Sequence, residues 1–130
     1  MEGNLGQFKI LVVDDSDFSR SSISSMLTDA GLNVAGESAS AKDAINYLKD
    51  NSVHLAIIDV VMPEVSGIEL TDYITENFPE VLIIMISSLA QESIVIDSIS
   101  AGASDYLQKP FDKDALVTSV EKLLSTIEEV

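Results

Sequence analysis

Cysteine is absent from the chain. That excludes a disulfide framework, a thiol nucleophile and a cysteine-ligated metal, and it suits a cytoplasmic protein. Basic residues are scarce: 7 Lys and Arg stand against 22 Asp and Glu, for a formal net charge of −15. Nucleic-acid binding draws on cations against phosphate, so this surface would repel nucleic acid. The acidity gives solubility, and part of it can serve a cation site or a basic partner. No apolar run approaches the roughly 18 residues of a membrane helix, so no membrane segment is expected. Met1–Gln7 has neither the basic start nor the apolar stretch of a signal peptide. Histidine occurs once, as His54. It precedes an apolar run and is expected in a surface or packing role.

What is present is a globular composition. With 130 residues, 46% of them hydrophobic, the chain is expected to be a single domain over 1–130, with a loose terminus over 1–8. The central stretch is Leu55-Ala56-Ile57-Ile58-Asp59-Val60-Val61-Met62-Pro63. A short apolar run bounded by breakers reads as a strand buried on both faces, and this one ends in a carboxylate. Lys9–Val13 is a second such run, stopping at Asp14-Asp15. Val81–Ile86 is a third, running out at Ser87-Ser88, and Ser104–Lys109 is a shorter one closed by Pro110. Leu32–Glu37 alternates more weakly, as a sheet-edge strand does.

Helices alternate with these strands. Ile23, Met26, Leu27 and Ala30 share one helical face, with Ser16 or Asp17 as the cap and Gly31 beyond the end. Ala41, Ala44, Ile45 and Leu48 repeat the spacing. Ser66-Gly67 opens a helix bearing Leu70, Ile74 and Phe78. Glu92–Ala101 is closed by Gly102, and Asp112 caps a last helix whose face is Leu116, Val120, Leu123, Leu124 and Ile127. Strand and helix thus alternate five times with short loops. This predicts an α/β fold with a parallel sheet and helices on both faces, doubly wound through right-handed crossovers.

In such a sheet every strand's carboxyl end lies on one rim, where ligands bind. The rim would carry Asp14, Asp15, Asp59, Ser87 and Lys109. Singly, each has a plain reading as a cap, a turn hydroxyl or a solvated charge. Together, carboxylates about 4 Å apart repel by about 4 kcal/mol at an effective dielectric of 20, which a divalent cation relieves. All-oxygen ligands favour Mg²⁺. A lysine and a hydroxyl beside it suit phosphoryl oxygens, so the cluster describes phosphoryl transfer to a carboxylate nucleophile.

These residues resemble the receiver domain of two-component response regulators, single-domain chemotaxis regulators of the CheY kind in particular. The motifs are Val12-Val13-Asp14-Asp15-Ser16, Asp59-Val60-Val61-Met62-Pro63 with Gly67, Ile86-Ser87-Ser88, Ala101-Gly102-Ala103, and Tyr106-Leu107-Gln108-Lys109-Pro110-Phe111. The resemblance implies a flavodoxin-like five-stranded sheet of order 2-1-3-4-5. It implies Asp59 as phosphoacceptor, with Asp15, Asp59 and the Val61 backbone carbonyl holding Mg²⁺ and Asp14 assisting through water. Ser87 would bind the phosphoryl group beside Lys109, Tyr106 would be the switch aromatic, and the bond before Pro110 would be cis. It also implies a sensor histidine kinase or phosphotransfer domain as donor. A downstream protein target would dock on the face of the fourth helix, fifth strand and fifth helix, the chain being a monomer or a weak phosphorylation-dependent dimer.

Ser at position 87 replaces a commoner Thr. Val61 and Leu89 are apolar where the family often carries polar residues that orient water, so slow dephosphorylation is expected. Met26, Met62 and Met85 read as core filling; Tyr47 and Tyr73 read as partly exposed packing. Ile94, Val95, Ile96 and Ile99 put apolar groups on more than one side of their helix, as a partner-binding patch would.

Three rivals stand beside the single-domain switch. A receiver cut from a longer regulator, such as a chemotaxis methylesterase, would share every motif. A Mg²⁺-dependent phosphohydrolase of the haloacid-dehalogenase kind needs a second Asp two residues after the first, where Val61 stands. A flavin-binding module needs a Ser/Thr/Gly-rich phosphate loop, where Asp14-Asp15 stands.

Overall fold

The computed structural model describes residues 5–89 and 91–127. Five strands and five helices alternate: β1 (Lys9–Val13), α1 (Asp17–Asp29), β2 (Asn33–Ser38), α2 (Ala41–Asp50), β3 (Leu55–Asp59), α3 (Gly67–Asn77), β4 (Leu82–Ser87), α4 (Glu92–Ser100), β5 (Asp105–Gln108) and α5 (Lys113–Leu124). All neighbouring strands are parallel, in the order β2-β1-β3-β4-β5. The expected doubly wound topology is therefore the one observed.

Alternation along the strands divides the core into two layers. Leu11, Val13, Ala56, Ile58, Ile83 and Met85 face Leu48, Leu70 and Ile74 of α2 and α3. Ile10, Val12, Leu55, Ile57, Ile84 and Ile86 face Ile23 and Leu27 of α1 and Leu116, Val120 and Leu124 of α5. Every residue of β3 is buried, as its uninterrupted apolar run requires. The edge strand β2 alternates exposed and half-buried positions up to Glu37 and ends at buried Ser38.

The helix starts follow capping chemistry. Ser16, not Asp17, caps α1 by accepting the Ser19 N–H. Ser66 and Glu69 form a capping box on α3, and Asp112 caps α5. Gly31 follows the α1 end at φ 82°, a left-handed position that glycine takes without steric cost.

The terminus departs from expectation. Leu5–Gln7 form a 3-10 turn, and Phe8 is buried in the α1/α5 layer against the His54 ring, 5.0 Å away and edge-on. The loose terminus expected over 1–8 is thus corrected for Leu5–Phe8, because an apolar anchor outweighs the Gly and Asn around it; residues 1–4 lie outside those described. His54 packs at the rim away from the acidic residues, where its Nδ1 accepts the Lys9 N–H at 2.9 Å.

Candidate functional site at the carboxyl rim of the sheet

β1 hands the chain to Asp14, whose backbone N–H donates to the Ser38 carbonyl at 3.1 Å. Its carboxylate is fully buried, with Oδ1 accepting the Ser16 N–H at 2.9 Å and Oδ2 the Ser19 hydroxyl at 2.6 Å. The α1 start is thus folded around a strand-end carboxylate, which the helix dipole also favours. Asp15, the next residue, is exposed.

β3 delivers Asp59. It is buried, and its Oδ1 accepts the Val61 N–H at 3.2 Å. Behind it the Gly67 N–H donates to the Val60 carbonyl at 2.8 Å. A Cβ at position 67 would stand 2.1 Å from the Asp59 carbonyl oxygen, so α3 can approach the strand end this closely only with glycine there.

Lys109 follows β5 and precedes a cis bond to Pro110. Its backbone N–H donates to the Ser87 carbonyl at 2.8 Å. Its Nζ lies 3.0 Å from Asp14 Oδ2 and 3.3 Å from Asp59 Oδ2, bridging the carboxylate that follows β1 and the one that ends β3. Ser87 ends β4 fully buried, its Oγ accepting the Leu89 N–H at 3.0 Å. Tyr106 of β5 donates from its hydroxyl to the Leu89 carbonyl at 2.6 Å. Val61 is exposed and Leu89 half-buried.

Electrostatics separate the two buried carboxylates. Burial works to raise Asp14, but the Ser19 hydroxyl, the Ser16 N–H and Lys109 outweigh it and hold its pKa below the ordinary value. Asp59 is pushed up, by burial first and by the Asp14 charge, with Lys109 opposing. Burial works to lower Lys109, but hydrogen bonds and charge from both carboxylates raise it. The repulsion anticipated for the cluster therefore falls on Asp59.

Carboxylate oxygens of Asp14, Asp15 and Asp59 lie within 4.8 Å of one another. The donor set is all oxygen, which fits a hard divalent cation such as Mg²⁺ and can hold one. The structure thus brings together Asp14, Asp15, Asp59 and Lys109, with Ser87 on the adjoining strand; Tyr106 and Leu89 stand one step behind Ser87. Ser19 and Arg20 escaped the sequence reading. Arg20 Nη1 donates to the Asp14 carbonyl oxygen at 2.7 Å. Their signal was the first turn of a helix that starts at an acidic strand end, which aims side chains back at that end.

Residues 10–121 match the response regulator receiver domain family. The chain is 37% identical over 117 residues to the chemotaxis protein CheY of Bacillus subtilis, covering 90% of this chain and 98% of that one. CheY of Thermotoga maritima is 34% identical over 115 residues, covering 88% and 96%. The crystal structure of the CheX–CheY–BeF3–Mg²⁺ complex from Borrelia burgdorferi is similar at a TM-score of 0.83 and 28% identity, over 93% of this chain and 90% of that one.

Proposed function

This chain belongs to the response regulator receiver domain family, and from that premise we propose that Asp59 is the residue that takes the phosphoryl group. The protein is a phosphorylation-activated signalling switch of the CheY-like kind and not a conventional enzyme. The observation that carries the site assignment is the Lys109 ammonium spanning Asp14 and Asp59 beside a three-carboxylate group.

In this reading the Asp59 carboxylate oxygen forms the bond to phosphorus. The bond from phosphorus to the donor breaks, and its electron pair leaves with the donor. Burial raises the free energy of the Asp59 anion, which favours its use as a nucleophile. Lys109 meets the incoming phosphoryl oxygens as a point charge, and the Ser87 hydroxyl donates to another. Asp15, Asp59 and the Val61 carbonyl would hold Mg²⁺, with Asp14 assisting. When bound, the cation neutralises charge on the transferring group. The chain's own catalysis is limited to its phosphorylation and dephosphorylation.

We assign the donor to a sensor histidine kinase or a phosphotransfer domain, and the output to a protein that docks on the face of α4, β5 and α5. Ile96 and Ile99 of α4 are exposed, 55% and 48%, and apolar groups left open to solvent are what a docking surface needs. Chemotaxis is the pathway we favour, since the curated relatives named above are chemotaxis proteins. We place the protein in the cytoplasm; no described helix is long and apolar enough to cross a membrane.

Acetyl phosphate with Mg²⁺, read by intact mass, tests the assignment. One phosphoryl adduct is expected on the wild type and none on Asp59→Asn. Continuous turnover of the donor would instead support the phosphohydrolase, and an adduct on another residue would overturn the Asp59 assignment. A pull-down with phosphorylated and unphosphorylated protein identifies the target.

A further inference from the structure

Arg20 lies outside the side chains assigned above to metal or phosphoryl group, yet it is fastened to their backbone. Nη1 donates to the Asp14 carbonyl oxygen at 2.7 Å, Nε to Glu37 Oε1 of β2 at 3.2 Å, and Nη2 to Asp17 Oδ1 at 2.6 Å. Glu37 is held in turn by the Ser24 hydroxyl at 2.9 Å. The planar guanidinium thus ties three acceptors, on the residue after β1, on β2 and on α1, which a lysine ammonium on a flexible stem cannot reproduce.

The consequence lies in the peptide plane. Asp14 N–H is bonded to the Ser38 carbonyl, fixing the peptide before Asp14. Arg20 fixes the peptide after it, which joins Asp14 to Asp15. The Asp14 side chain has further partners of its own in Ser16, Ser19 and Lys109. Asp15 is exposed, so its direction depends on the backbone that carries it.

We propose that Arg20 is a positioning residue for the cation site, holding the Asp14–Asp15 peptide so that the Asp15 carboxylate meets Asp14 and Asp59. The inference rests on the Mg²⁺ reading above. It is separable from a bare charge effect by sign. A positive charge beside the cluster competes with a divalent cation, so removing it would tighten binding. A clamp works the other way, and partners behind metal ligands are typically worth about 10- to 100-fold in metal affinity.

Isothermal titration with Mg²⁺ on the full chain tests this, using wild type, Arg20→Lys, Arg20→Gln and Glu37→Gln, each with a metal-free melt. The expected Kd rises about 10-fold in Arg20→Gln and at least about 3-fold in Arg20→Lys, where the charge stays and the fork is lost. Glu37→Gln, at an exposed position, is expected to give about 3-fold; titrated at about 1 M salt, where the negative charge it removes is screened, it carries the test should the Arg20 variants fold poorly. Phosphorylation by acetyl phosphate should need correspondingly more Mg²⁺ for half-maximal rate, with the rate at saturating Mg²⁺ retained. Lower metal-free melting with unchanged Kd in Arg20→Lys and Glu37→Gln would show a structural tie alone and overturn the inference. Tighter binding in Arg20→Gln would overturn it in favour of the charge effect. A wild type that binds no Mg²⁺ would overturn the metal reading itself, and the inference with it.

Discussion

The Tyr106 hydroxyl donates to the Leu89 carbonyl oxygen at 2.6 Å, while the N–H of the same Leu89 donates to Ser87 Oγ at 3.0 Å. One residue therefore links the hydroxyl proposed to meet the phosphoryl group with the aromatic of the neighbouring strand. Ser87 cannot be drawn toward a phosphoryl oxygen without pulling on Leu89, and Leu89 holds Tyr106 inward against the core.

That link predicts a measurable coupling. A ligand shifts a two-state equilibrium only through different contacts in the two states. Beryllofluoride with Mg²⁺ should slow amide exchange at Leu89 and from Tyr106 to Phe111. Tyr106→Phe removes a hydrogen bond worth about 1 kcal/mol, so exchange at Leu89 in the free protein should speed by roughly 5-fold. It should also shrink the response to the mimic. An unchanged Leu89 amide in Tyr106→Phe would show that the hydroxyl does not hold the loop.

Asp14 and Asp59 should respond oppositely to substitution. Asp14 titrates below its ordinary value, so it contributes stability that is present above the unfolded pKa and lost as pH falls through the folded one. Asp14→Asn should destabilise metal-free protein at neutral pH by about 2 kcal/mol, since the Ser16 N–H and the Ser19 hydroxyl lose a charged acceptor while Lys109 keeps only Asp59. Asp59 titrates above its ordinary value. Its ionisation therefore costs stability once pH rises past the unfolded pKa, and Asp59→Asn should raise the metal-free melting temperature, by about 4 °C for roughly 1 kcal/mol. Both differences from wild type should close as pH falls below the ordinary carboxylate range. Melting curves from acid to neutral pH decide it; an Asp59→Asn protein that melts lower than wild type would contradict the ordering.

The lifetime of the phosphorylated state should be long. Hydrolysis needs a water in line with phosphorus and a polar group to orient it. Val61 is exposed beside Asp59, and Leu89 follows Ser87 with its side chain half-buried. Neither side chain has a donor or acceptor. Decay should be slow for a single-domain regulator, so that resetting requires a phosphatase or a reversible kinase. Val61→Asn and Leu89→Glu should each accelerate decay about 10-fold, equivalent to about 1.4 kcal/mol of barrier. The readout is adduct remaining by intact mass after the donor is removed.

A fourth expectation concerns the loop after Asp59. Glu64 has φ 71°, and the Val65 N–H donates to the Pro63 carbonyl at 2.8 Å. This is a three-residue turn with a left-handed centre, a conformation in which a Cβ is strained. Glu64→Gly should stabilise the protein by about 1 kcal/mol in chemical denaturation, the relief of strain exceeding the entropy that glycine adds to the unfolded chain. Destabilisation would mean that the Glu64 side chain makes a compensating contact.

Legibility of the chain tracked the range of the interaction. Asp112 could be read as a cap because a capping oxygen and the N–H it serves lie three residues apart. The Leu55–Asp59 run announced its burial on both faces because a parallel central strand has no solvent side. The Ser87 and Asp59 positions followed once the strand ends were placed on one rim. Phe8 was misread, because local Gly and Asn content says nothing about an apolar slot formed by α1 and α5.

By itself the sequence determined the strand and helix alternation, the rim that gathers Asp14, Asp15, Asp59, Ser87 and Lys109, and the family-level reading. Periodicity, capping and turn chemistry act over a few residues and are written in order along the chain. Only the tertiary structure decided which groups meet. Lys109 touches Asp14 across 95 positions, Tyr106 reaches Leu89, and Arg20 chooses a backbone oxygen rather than a carboxylate of the cluster. Such contacts depend on how strands stack and helices cross, and no local pattern encodes those distances. The opposite pKa shifts of Asp14 and Asp59 arise there too, since a carboxylate's pKa follows its burial and its partners, not its place in a motif.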